Sequence, residues 1–170
     1  MKLRLFVLLV SVLMLAAVLA APLSSKDESA PDFTLKDIDS KDVKLSDVMK
    51  DHNLVLIDFW NIQCKPCCEF MNFFDGFNDD FGDKGFTILS INTDTSQSSN
   101  KVKPFILGRD YKFHVLLDPN MEVYKRFLIK GVPTTILVNK DLEIVYRHLG
   151  YKKGFEDEVR QAISDNLPND

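Results

Sequence analysis

The apolar and polar positions of the chain alternate between extended and helical segments. Asn53 to Trp60 is a near-continuous apolar run led by Leu54-Val55-Leu56-Ile57, the pattern of a strand covered on both faces. Phe86 to Asn92 repeats it, and His114-Val115-Leu116-Leu117 is a shorter version stopped by Asp118-Pro119. Two β-rich runs, Thr134 to Asn139 and Leu142 to Arg147, flank Lys140-Asp141 and predict a tight hairpin. Earlier, Asp32-Phe33-Thr34-Leu35 and Asp42-Val43-Lys44-Leu45 predict another hairpin around Asp39-Ser40-Lys41. Helical spacing lies between these runs. Phe70, Phe73, Phe74, Phe77 and Phe81 recur on one side of a 3.6-residue repeat, predicting a single helix that ends near Phe81. Shorter helices are expected from Ser46, as N-cap, to Lys50, over Lys101 to Arg109, and from Met121 to Phe127 behind an Asn120 cap. A last helix is expected over Phe155 to Leu167. Strands alternating with helices make this an α/β chain.

The first 21 residues read differently. Lys2 and Arg4 precede a 16-residue stretch, Leu5 to Ala20, that is apolar except for Ser11 and ends in Val18-Leu19-Ala20. This is the pattern of an export signal, with a retained N-terminal membrane anchor as the alternative, since a spanning helix needs about 20 residues. The organisation expected is therefore residues 1–21 as signal peptide or anchor, 22–30 as a polar linker, and 31–170 as one domain. With 45% hydrophobic residues the chain can bury a substantial core. Its formal net charge of −4 becomes more negative once Lys2 and Arg4 are discounted, which argues against nucleic acid or an anionic membrane surface as a partner.

All three cysteines fall within five residues, Cys64-Lys65-Pro66-Cys67-Cys68, between the first central strand and the Phe-rich helix. A helix N-terminus offers unpaired N–H groups and the positive end of the macrodipole, and both favour a thiolate at Cys64. Lys65 adds positive charge beside it. Cys67 follows one turn later, close enough to form a disulfide with Cys64. The string Asp58-Phe59-Trp60 with Cys64-x-Pro66-Cys67, joined downstream by Gly131-Val132-Pro133-Thr134-Thr135, resembles the thioredoxin superfamily, in particular its extracytoplasmic TlpA/ResA branch. The resemblance implies a thioredoxin-like fold, with a central mixed sheet flanked by helices and an extra N-terminal hairpin. It implies an exported thiol–disulfide oxidoreductase without a cofactor, in which Cys64 attacks and Cys67 resolves. It further implies a cis Pro133 facing the dithiol, Val132 offering its backbone to the substrate, and Trp60, Lys65 and Pro66 around the substrate site. Asp58 matches the buried aspartate that moves the proton of the second cysteine. Protein disulfides would be the substrates and a membrane donor the electron source. A common task in this group is reducing apocytochrome c before haem attachment.

The chain departs from the pattern in places. Phe70 stands where ResA-like members carry a glutamate, with Glu69 one residue early; Asn72 replaces a common proline, and Gln63 a common tryptophan. Two other readings compete. Cys64-x-x-x-Cys68, with His148, has the cysteine spacing of Sco-type copper chaperones. A peroxiredoxin-like peroxidase is the other, though its Pro-x-x-x-Thr-x-x-Cys pattern is missing. His52, His114 and His148 are scattered singly, so no metal role is assigned to them.

Overall fold

The computed structural model describes residues 28–168. The signal or anchor segment, and the linker as far as residue 27, lie outside the described residues. Among the described residues fifteen successive elements build one seven-stranded mixed sheet and its flanking helices. The strands are β1 (Thr34–Asp37), β2 (Asp42–Lys44), β3 (Leu54–Trp60), β4 (Phe86–Asn92), β5 (His114–Leu117), β6 (Thr134–Asn139) and β7 (Ile144–Leu149). They lie in the order β2-β1-β5-β4-β3-β6-β7. The pairs β3–β4 and β4–β5 are parallel and the others antiparallel. The helices are α1 (Leu45–Val48), α2 (Lys65–Met71), α3 (Phe74–Phe81), α4 (Val102–Leu107), α5 (Glu122–Arg126) and α6 (Phe155–Asn166), with two 3-10 turns at Gly82–Lys84 and Ser99–Lys101. This is the α/β thioredoxin-like fold, with the extra hairpin β1–β2 at one edge.

Every residue of β3 and β4 is buried, which is why their sequences are continuously apolar rather than alternating. Side chains still alternate between two cores. Leu54, Leu56 and Trp60 face Phe70, Phe74, Phe77, Phe155 and Val159 of α2, α3 and α6. Val55, Ile57 and Phe59 face Leu45 of α1, Val123 of α5 and Phe127. Phe70 is the centre of the first core, with ring contacts at 5.0–6.3 Å to Phe74, Phe77, Tyr151 and Phe155.

Four local expectations are corrected. The Phe-rich helix is two helices, broken at Asn72-Phe73. Both residues keep right-handed helical angles, and the Phe73 N–H bonds the Phe70 carbonyl in a 3-10 step before Phe77 bonds Phe73. The periodicity of the phenylalanines therefore survives the break. The break is tied to the segment after α4: the Tyr111 hydroxyl donates to Asn72 Oδ1 at 2.7 Å and the Lys112 N–H to Asp75 Oδ1 at 3.1 Å. Second, Ser46 lies inside α1 and is not its cap. Its N–H donates to Asp32 Oδ1 at 3.0 Å, so the acceptor comes from ahead of β1. Third, Asn120 does not cap α5. Met121, at a left-handed φ of 54°, turns the chain so that Asp118 Oδ1 and Oδ2 accept from the N–H groups of Glu122 and Tyr124, each at 2.8 Å. Fourth, the strand expected at Leu142 begins at Ile144 and runs to Leu149. A β-bulge between Leu137 and Val138 shifts its register.

Within the stretch read as linker, Glu28 to Ala30 run beside the start of β7. The Ile144 N–H donates to the Glu28 carbonyl and the Ala30 N–H to the Leu142 carbonyl, both at 2.7 Å. Arg147 pairs with the Glu28 carboxylate at 2.7 Å. Ala30 and Phe33 are then buried in the second core, with Phe33 edge-on to Phe127. This segment crosses that face as a belt between the β7 edge and β1.

Candidate active site

Strand β3 ends at Trp60 and α2 begins at Lys65; the four residues between turn the chain over the end of the sheet. Asp94, which the sequence reading passed over, fixes that turn from the neighbouring strand end. Its Oδ2 accepts from the Ile62 N–H at 2.9 Å and from Asn92 Nδ2 at 2.8 Å. Cys64 is the N-cap of α2, and its sulfur accepts from the Cys67 N–H at 3.2 Å. Cys64 and Cys67 form a disulfide with Cα atoms 5.3 Å apart. Cys67 is wholly buried while Cys64 is half-exposed, and Lys65 and Pro66 between them are exposed. An incoming thiol or disulfide therefore meets Cys64 first. Cys68 is half-buried on α2, and burial pushes its thiol up from the ordinary range while the nearby Arg109 guanidinium opposes this.

The Val132–Pro133 peptide bond is cis. Register carries Phe59 opposite Thr134, so Pro133 arrives at the level of Trp60, at the end of β3 where the dithiol loop starts. The Gly150 N–H donates to the Pro133 carbonyl at 2.8 Å, and Thr134 Oγ1 to the Gly131 carbonyl at 2.6 Å, holding both sides of this loop. Val132 is half-exposed. Trp60, expected among the substrate-contacting residues, is corrected: it is wholly buried, with the Phe105 ring 5.6 Å away. The cause is α4 and its flanks, which pack across the end of β3. Trp60 supports the site from beneath. Phe70, at the position of the ResA-type glutamate, is a core residue, and Glu69 is exposed.

Asp58 lies two residues before Trp60 and shares its face, the Cys67 side of the sheet. It is wholly buried. Thr135 Oγ1 approaches Oδ1 at 3.4 Å, and Oδ2 has no partner. Burial raises its pKa well above the ordinary carboxylate range, with the Thr135 hydroxyl opposing weakly. Ser90 sits opposite Asp58 on β4, its hydroxyl also buried and without a partner. The sequence marks Thr135 only as the last residue of the Gly131-to-Thr135 string and does not mark Ser90, because neither has a spacing that ties it to Asp58 before the strands are paired. Among the described residues there is no group of three or more His, Cys, Asp or Glu side chains placed to hold a metal ion.

The AhpC/TSA family model matches residues 27–147. The thiol-disulfide oxidoreductase ResA of Bacillus cereus is 28% identical over 96 residues, which are 56% of this chain and 54% of that protein. ResA of Bacillus subtilis is 30% identical over 91 residues, 54% of this chain and 50% of that protein. The chain thus spans about half the length of the curated relatives it matches. Among solved structures, a putative thiol:disulfide interchange protein DsbE from Chlorobium tepidum superposes with a TM-score of 0.77 at 26% identity, covering 85% of this chain and 99% of that one. These homologues are thiol-disulfide oxidoreductases. With the family match running unbroken from residue 27 into β7, the chain belongs to the AhpC/TSA family.

Proposed function

We propose that this protein is an exported thiol–disulfide oxidoreductase that reduces protein disulfides. The observation that carries the reading is the Cys64–Cys67 disulfide, with one sulfur half-exposed at a helix N-cap and the other buried on the face that holds Asp58. In the reduced enzyme the Cys64 thiolate attacks one sulfur of a substrate disulfide. The first substrate sulfur leaves with the electron pair and takes a proton. Cys67 then attacks Cys64 within the mixed disulfide. Its proton passes to Asp58, the second substrate sulfur leaves, and the enzyme disulfide re-forms. The substrate has gained two electrons, and a membrane donor would return them to the enzyme. Lys65 and Pro66 line the approach, and Val132, beside the cis proline, presents its backbone to the substrate chain as a short strand would. Reduction of apocytochrome c cysteines before haem attachment is the task this reading favours, on the likeness to the ResA proteins. Location outside the cytoplasm rests on Lys2, Arg4 and the apolar run to Ala20.

The test uses three single variants in a disulfide-reductase assay. Cys64→Ser should be inactive, Cys67→Ser should accumulate a covalent substrate adduct, and Cys68→Ser should keep most activity. Mass spectrometry of the Cys67→Ser adduct from the native host identifies the partner. If Cys68→Ser is as inactive as Cys64→Ser while Cys67→Ser works, Cys64 and Cys68 are the functional pair and the copper-chaperone reading takes its place.

A further inference from the structure

Strand pairing places Asp58 in a transverse row. Asp58 lies opposite Ser90 on β4 and opposite Thr135 on β6, and Thr135 lies opposite His148 on β7. Residues directly opposite in a sheet project to the same face, with Cβ atoms about 4.5–5.5 Å apart. The face is the one that carries the dithiol, since the His148 ring lies 4.1 Å from that of Phe155, a member of the Cys67 core. Ser90 and Asp58 are sealed. His148, on the edge strand, is half-exposed. The row thus runs from a buried carboxyl through a hydroxyl to an imidazole that meets water.

The β7 bulge decides which side chain ends the row. Val138 pairs with Ile144, but Leu137 pairs with Tyr146, so Val145 is the extra residue. Had the register set at the turn continued, Arg147 would lie opposite Thr135. The shift turns Arg147 to the other face, where it bonds the Phe127 carbonyl and Glu28. The shift thus puts an imidazole, and not a permanent guanidinium cation, at the end of the row.

We propose that His148 acts through Asp58: it is the solvent-side end of a row by which the buried carboxyl returns its proton to water, with the Thr135 hydroxyl between them. This rests on the reading of Asp58 as proton acceptor for Cys67. The Thr135 hydroxyl, which donates to Asp58 Oδ1 at 3.4 Å, turns to give its proton to the His148 ring as its oxygen takes the proton of Asp58, and the ring releases one to water. Nothing is oxidised or reduced. The residues opposite Asp58, Ser90 on β4 and Thr135 on β6, are uncharged, and α2 covers the same face with its apolar residues. Around His148, β7 contributes Tyr146, whose hydroxyl is bonded to Glu158 of α6. The start of α6 contributes Phe155 and Glu156, the latter accepting from the Tyr151 hydroxyl and the Gly154 N–H. Lys152 and Lys153 precede them.

The test follows the Asp58 carboxyl by carbon NMR in reduced protein labelled at aspartate, using Asp58→Asn to assign the signal. Wild type should show, besides its own titration, a second inflection of the Asp58 signal. It should vanish in His148→Gln and in His148→Phe, the latter keeping an aromatic ring against Phe155. Mixed-disulfide decay at pH 7 should slow about three- to tenfold in both variants, a small part of what general acid–base catalysis supplies. Added imidazole should restore it, and the initial Cys64 attack should be unchanged. An Asp58 titration and a decay rate in His148→Phe equal to wild type overturn the proposal. If instead Asp58→Asn leaves decay unchanged, the role of Asp58 fails, and the NMR titration still decides whether carboxyl and imidazole are coupled.

Discussion

Among the described residues two aspartates are buried, and the fold treats them oppositely. Asp118, 1% exposed at the end of β5, has each carboxylate oxygen filled by a helix N–H at 2.8 Å. Asp58, 0% exposed in mid-sheet, has one distant hydroxyl and one oxygen with nothing. A buried carboxylate is tolerable when hydrogen bonds replace its water and costly when they do not. Asp118 therefore reads as structure, a cap that sets the direction of α5. Asp58 is a carboxyl whose neutral form suits its surroundings, and under the proposed mechanism its ionised form takes the Cys67 proton.

The comparison breaks most visibly at Asp118. Asp118→Ala strands two helix N–H groups and should cost about 2–4 kcal/mol of stability, measured by urea unfolding, with activity per folded molecule retained. At Asp58 the large effect should be on rate. Asp58→Asn should slow mixed-disulfide resolution near neutral pH by about a hundredfold, the lower end of what a general base supplies. Stopped-flow decay unchanged from pH 6 to 9 would remove Asp58 from the mechanism.

A third measurement separates the two residues by pH. The folded-state pKa of Asp58 is raised, so above its unfolded value of about 4 the folded protein binds more protons than the unfolded chain. Stability is full below that value and falls as pH rises towards the folded pKa. Asp58→Asn should flatten this slope and be more stable than wild type at neutral pH, with the gap closing towards pH 4. The smallest effect should come from Tyr111→Phe, which removes one bond to the break between α2 and α3 and should cost about 1 kcal/mol.

Much of this was legible in the sequence for definite reasons. Strands β4 and β5 match their expected limits because apolar runs ended in hard stops. Gly85, at a φ of 82°, precedes Phe86, and Asp118-Pro119 follows Leu117. The dithiol and its helix were legible because strand, cysteine pair and aromatic period fall in one short stretch. The caps were not. Ser46 and Asn120 are the right residue types but stand two positions after and one position before the caps, Lys44 and Met121, and Asp32 and Asp118 hold the N–H groups because backbone direction decides which carboxylate reaches them. The row ending in His148 could not be read at all, since it depends on a register that one extra residue in β7 resets.

The belt from Glu28 to Phe33 has a consequence for the order in which the molecule is made. It leaves the ribosome ahead of every strand, and while Phe33 has a backbone partner close by in Leu45, the partners of Glu28 and Ala30 are Ile144 and Leu142, more than a hundred residues later. Ala30 and Phe33 therefore stay uncovered through almost the whole of synthesis, a long-range closure of the kind that slows folding and exposes nascent chains to aggregation. The first residues of the domain to emerge are among the last to find their place.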